Sequence, residues 1–163
     1  MAAFPQFEEL NSCEYLFLRT ISEPADNQLR LIIAEASPGG EVSVETRNAL
    51  GLPDTLLRDA RVIESTAGDR LFELTWSSYI AYSVRDESFV SADDYEILES
   101  GRLVCLYAKS HFLDYISKAT FASAVYPGPY RHIGINCQNH IVDVISTADP
   151  EIRQLRQLPG KIQ

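Results

Sequence analysis

The stretch Arg70–Arg85, RLFELTWSSYIAYSVR, decides the fold. Its even positions run Phe72, Leu74, Trp76, Ser78, Ile80, Tyr82 and Val84, apolar or amphipathic but for the serine. Its odd positions include Glu73, Thr75, Ser77, Ser83 and Arg85. Side chains on a strand alternate between faces, so apolarity with a period of two marks a half-buried β-strand. The alternation outlasts the usual strand of about five or six residues. It predicts one long, bent strand or two collinear strands hinged near Ser77-Ser78. The rest of the chain must then cover the Phe72–Val84 face, with Trp76 at the centre of the core.

On the N-terminal side, Arg61–Ser65 reads as a strand that Thr66-Ala67-Gly68-Asp69 turns back into the long one as a hairpin. Glu14–Thr20 and Leu29–Ala36 read as strands, the second favoured by the β-branched pair Ile32-Ile33. Pro38-Gly39-Gly40 reads as a turn, with Val42 and Val44 on a half-exposed strand returning beside its neighbour. Arg47–Asp59 lacks a clean period and reads as an irregular cover with a helical turn after Asp54.

On the C-terminal side, Ser91-Ala92-Asp93-Asp94 has the composition of a helix start, with Gly101 as the stop. Leu103–Ala108 is an apolar strand. Ser110 can cap a helix to about Thr120 with Phe112, Leu113 and Ile116 on its inner face. Tyr130–Cys137 and His140–Ser146 form a hairpin about Gln138-Asn139. Asp149 before Pro150 is a helix start expected to run to near Leu158. These readings predict a single domain over residues 1–163 of α+β class. They point to a mainly antiparallel, curled sheet of about seven strands with one principal helix, and a β-sandwich as the alternative.

The formal charge of −9 argues against a nucleic-acid binder, which carries a basic footprint, and would steer the chain toward a basic partner. No apolar run approaches the ~20 residues that span a bilayer. The opening MAAFPQFEEL lacks the basic region of a secretory signal. A cytoplasmic protein is expected, with Cys13, Cys105 and Cys137 as reduced thiols.

No G-x-S-x-G elbow, Walker loop, G-x-G-x-x-G or H-E-x-x-H occurs, and no cofactor is expected. His132, Cys137 and His140 offer zinc-type ligands, but strand alternation puts His132 on the face opposite Cys137, so no metal site is expected. The other face of the same hairpin carries His132, Gly134, Asn136, Ile141, Asp143 and Ile145. Gly134 opposite Asp143 leaves room beside the carboxylate, with His132 and Asn136 as neighbours. A histidine oriented by a carboxylate is the heart of many acid–base sites, which makes His132 and Asp143 the catalytic candidates. His132, Asn136 and Asp143 join Tyr79 and Tyr107 as binding candidates, since exposed aromatics favour ligand or protein contacts.

Three function classes follow. The first is a small acidic binding protein that neutralises a basic partner, resembling a toxin immunity protein in size and charge. The second is a small-molecule binder or enzyme with a pocket between the sheet and the Ser110 helix. The third is a homo-oligomer subunit joined through a tyrosine-rich face. A closed, polar-lined concavity holding His132 and Asp143 would favour the second, a flat acidic patch with exposed aromatics the first, and a twofold apolar interface the third.

Overall fold

The structure, a computed structural model, describes residues 5–51, 61–91 and 93–156. Within them, ten strands make two antiparallel sheets of five. Sheet I holds β1 (Tyr15–Ser22), β2 (Leu29–Glu41), β3 (Arg61–Glu64), β4 (Leu71–Trp76) and β10 (Glu151–Leu155), in the order β1-β2-β4-β10 with β3 on β2. Sheet II holds β5 (Ala81–Arg85), β6 (Ile97–Gly101), β7 (Val104–Lys109), β8 (Arg131–Asn136) and β9 (Ile141–Ser146), in the order β5-β9-β8-β7-β6. The expectation of about seven strands in one curled sheet is therefore corrected to ten strands in two. The Arg70–Arg85 stretch is broken at Ser77–Ile80, and its halves lie in different sheets. An unbroken alternation does not reveal a change of sheet, because each half presents the same parity of residues inward.

One apolar core lies between the sheets. Sheet I gives it Leu16, Leu18, Leu29, Leu31, Ile33, Phe72, Leu74 and Trp76, and sheet II gives Val104, Leu106, Ile133, Ile135, Val142 and Val144. The short helix α1 (Glu8–Ser12) adds Leu10 beside Phe7 and Cys13. Two asparagines stand in for backbone where ladders lapse. Asn139, in the β8–β9 turn, accepts from Leu18 N–H and donates to Leu18 O at 3.0 Å each, where the β1 register slips. Asn11 accepts from the N–H groups of Arg102, Leu103 and Val104. Each satisfies peptide groups that the ladders leave unpaired.

Several local expectations give way to tertiary pairing. Pro38-Gly39-Gly40 does not turn the chain. It lies within β2, at the irregularity where β3 pairs. β3 and β4 do not form a hairpin, since both run antiparallel to β2 (Ser37↔Glu64, Ala34↔Leu71). Val44 is helical, in α2 (Val44–Leu50), because the Ser43 hydroxyl caps Thr46 N–H at 3.2 Å. The helical turn placed after Asp54 falls outside the described residues. Asp93 starts no helix: its Oδ1 accepts from Tyr95 and Glu96 N–H, and Ile97–Gly101 becomes edge strand β6. Gly101 closes the β6–β7 turn at φ 93°, where a Cβ would meet Val104 O. Asp149 caps no helix either. Its carboxylate accepts from Arg131 and Gln6, and the chain continues as β10 on the open edge of β4.

The helix expected after Ser110 is present as α3 (His111–Ala119). The Ser110 hydroxyl accepts from Leu113 N–H at 3.0 Å, with Asp114 in the first turn and Lys118 in the last complementing the macrodipole. α3 covers the face of sheet II turned away from the core, where its Phe112 meets His132. No helix among the described residues is long and apolar enough to cross a membrane.

Trp76 is 1% exposed and lies in the shared core. Trp76→Ala is expected to cost ~3–5 kcal/mol in chemical denaturation. The indole N–H has no hydrogen-bond partner among the described residues, so Trp76→Phe, which removes that buried donor, is expected to lose less. A loss below ~1 kcal/mol for the alanine variant would contradict this packing.

Candidate functional site

The outer face of sheet II carries an unusual set of buried polar residues. The register sets Ser83 opposite Asp143, Asp143 opposite Gly134 and Gly134 opposite Cys105. One row along, His132 lies between Ile145 and Tyr107. Asn136 pairs with Ile141 across the turn, so His132 and Asp143 share a face and meet diagonally, Nε2 to Oδ1, at 2.9 Å. Both are buried, at 1% and 2% exposure.

Gly134 makes the space for this. A Cβ there would lie 2.7 Å from Tyr107 Cε2 and 3.6 Å from Asp143 Oδ1. The Tyr107 ring uses that opening to stack on His132, with centroids 4.3 Å apart and planes 13° apart. Phe112 closes the histidine edge-on at 5.6 Å. Burial pushes the Tyr107 hydroxyl up to about 12, so the phenol stays protonated at neutral pH.

Hydrogen-bond accounting fixes the roles. His132 Nδ1 lies 2.7 Å from Ser110 Oγ, which already accepts from Leu113 N–H. In the tautomer with the proton on Nε2, the chain runs without a gap: Leu113 N–H to Ser110 Oγ, Ser110 O–H to His132 Nδ1, His132 Nε2–H to Asp143 Oδ1. Asp143 Oδ2 accepts from Arg85 Nε at 3.1 Å and from Ser83 Oγ at 3.4 Å, and forms an ion pair with Arg85 Nη2 at 2.9 Å. A serine, histidine and carboxylate in series resemble a nucleophilic triad. Ser110, however, is fully buried and spends its oxygen on the helix cap, so no substrate carbonyl can reach it.

Above this floor is a cleft of about 330 Å³ lined by β5, α3 and the loop leading to β6. Ser83, Arg85, His132 and Asp143 form its base, Phe112 and Tyr115 one wall, and Ser91, Asp93, Glu96 and His111 the rim. The rim is tied to the start of α3. His111 Nε2 pairs with Asp93 Oδ2 at 2.7 Å, Glu96 Oε1 accepts from His111 N–H at 3.2 Å, and the His111 ring stacks on Tyr95 at 4.5 Å. Tyr95 donates its hydroxyl to Asp114, and the Lys109 ammonium sits over its ring.

The structure thus brings together three of the five residues singled out from sequence: His132, Asp143 and Tyr107. Asn136 shares their face but turns to Arg102 O and Cys105 Sγ, away from the cleft. Tyr79 lies elsewhere, edge-on to Tyr82, and both hydroxyls donate to Glu23. Other tyrosines make separate ring contacts, Tyr126 with Phe121 and Tyr95 with His111. Cys137 joins the core while His132 faces outward, so the zinc-type trio is split. Burial raises all three thiols, Cys13 to about 11 and Cys137 to about 12, which leaves them poor nucleophiles.

Sequence reasoning missed Ser83, Arg85 and the tie from Ser110 to His132. The signal for the first two was present in the polar odd positions of Arg70–Arg85, which end in Ser83 and Arg85. Comparison with protein-family models, with curated proteins and with solved structures finds no match.

The bond to Asp93 holds the His111 pKa above its ordinary value, against an opposing effect of burial. A histidine raised in the folded state stabilises fully below its unfolded pKa, and that contribution fades as pH rises through the folded value. NMR titration is expected to find His111 above the ordinary histidine range, and Asp93→Asn is expected to bring it down. An unchanged titration in the variant would show that the rim contact is absent in solution.

Proposed function

We propose that the protein binds a small organic molecule in the cleft between the outer face of sheet II and α3. One observation carries this reading. A half-exposed guanidinium, Arg85, is presented to a concave space by a buried carboxylate that is itself locked by His132. Burying His132 and Asp143 has a desolvation cost, and a fully satisfied network of this kind holds a donor rigidly in place. Arg85 is then a preorganised anchor for an oxygen acceptor on a ligand, and Phe112 and Tyr115 offer an apolar wall to the rest of it.

The reading is one of binding rather than proton transfer. Both His132 nitrogens and both Asp143 oxygens already bond to protein groups, so the pair serves first as a structural network that positions Arg85. The alternative of an acidic partner for a basic protein has its support in the formal charge of −9, without a comparable constellation of side chains.

A thermal-shift screen of small metabolites tests the proposal, with hits confirmed by calorimetry. At least one compound is expected to bind the wild-type chain. Arg85→Met should weaken it roughly 10–100-fold, the loss of a charge-assisted hydrogen bond. Tyr115→Ala, at a side chain 61% exposed and therefore removable without unfolding, should weaken it as well. No binder, or binders indifferent to both substitutions, would sink the proposal.

A further inference from the structure

We infer that the ligand of this cleft is amphoteric: a carboxylate and a primary ammonium on a small aromatic body, the chemistry of an aromatic α-amino acid. The inference rests on the small-molecule reading above and names the ligand class for that site.

The charges of the lining carry the argument. Three carboxylates, Asp93, Glu96 and Asp143, share the cleft with one guanidinium, Arg85, and with His111. Asp143 is matched by Arg85 at 2.9 Å, and Asp93 by His111 at 2.7 Å. Glu96 forms no ion pair among the described residues; it lies in the field of His111, whose side chain is already bonded to Asp93. One of its oxygens accepts from a backbone N–H, and the other has no protein donor among the described residues.

Arg85 is also incompletely used. Its Nε and Nη2 face Asp143 Oδ2, while Nη1 has no acceptor among the described residues and the side chain is 51% exposed. An anion alone would fill Nη1 but meet Glu96 uncompensated. A cation alone would suit Glu96 but leave the guanidinium unmatched. A molecule bearing both charges answers each.

Size and shape narrow the class further. At about 330 Å³ the cleft is at the small end of ligand pockets, suited to one amino-acid-sized molecule rather than a dinucleotide or a peptide. Its wall is aromatic. The Phe112 and Tyr115 rings lie within 6° of parallel, with centroids 6.3 Å apart, and flat rings of this kind favour an aromatic body by stacking and an ammonium by its attraction to the ring face.

Calorimetry with three probes tests this: phenylalanine, 3-phenylpropionate without the ammonium, and phenethylamine without the carboxylate. Phenylalanine is expected to bind at least tenfold more tightly than either analogue. Glu96→Gln should abolish its advantage over 3-phenylpropionate, and Arg85→Met its advantage over phenethylamine. If Arg85→Met fails to fold, the Glu96→Gln comparison decides alone. An analogue that binds as well as phenylalanine overturns the inference. So does failure of all three probes while an unrelated compound binds in an Arg85-dependent way, and the small-molecule reading then survives. If nothing binds at all, both readings fall.

Discussion

Between Trp76 and Ala81 the chain leaves one sheet and enters the other, and the rest of the structure depends on how that passage is made. Trp76 and Tyr82 both pack on the shared core and lie an even number of positions apart in the chain. Parity is therefore conserved across the crossover, and Ser83 and Arg85 emerge on the outer face of sheet II beside Asp143. A crossover one residue longer or shorter would exchange the faces of β5, burying a guanidinium in the core and emptying the cleft of it. The passage is seated by two bonds, from Ile80 N–H to Ile145 O at 2.8 Å and from Ser146 Oγ to Ser78 O at 3.0 Å.

From that placement follows a continuous polar thread. It begins at a backbone N–H in the first turn of α3 and passes through Ser110, His132 and Asp143 to Arg85. Each member is both positioned by its neighbour and needed to satisfy it, so the thread has little freedom to rearrange piecemeal. The helix cap thereby becomes part of the support for a surface side chain on the far edge strand. Sheet I shows the contrasting use of buried charge. Burial works to raise the Glu73 carboxyl, but hydrogen bonds from Arg153 and Arg30 outweigh it and hold the group below its ordinary value. Glu73 ties β2, β4 and β10 together through its ion pairs with Arg30 and Arg153.

Where the sequence was legible, one physical signal dominated its neighbourhood. Period-two apolarity identified β4 and β5, and the loop about Gln138-Asn139 set the register that brings His132 to Asp143. The Ser110 cap gave α3 nearly residue for residue. Where the reading failed, a local motif competed with a partner distant in the chain. Asp149-Pro150 has helix-start chemistry, but Ile152 finds Leu74 across an open sheet edge, and the Asp149 carboxylate is claimed by Arg131 and Gln6. Asp93 has the same ambiguity, and the free edge of β7 resolves it in favour of a strand. Pro38-Gly39-Gly40 looked like a turn because its residues permit one. Pairing with β3 supplied the reason not to make it.

The missing side chain at Gly134 has a consequence for the lineage of this protein. The ring of Tyr107 occupies the volume that any larger residue at 134 would need, so neither position is free to drift by itself. In related sequences the two should be inherited as a unit: glycine with a large planar ring, or a bulkier residue with something smaller at 107. The second pairing would also strip the histidine of its stacking partner. A branch of descent that crossed from one solution to the other would thus keep the two-sheet scaffold while releasing the floor of the cleft to take on a different chemistry.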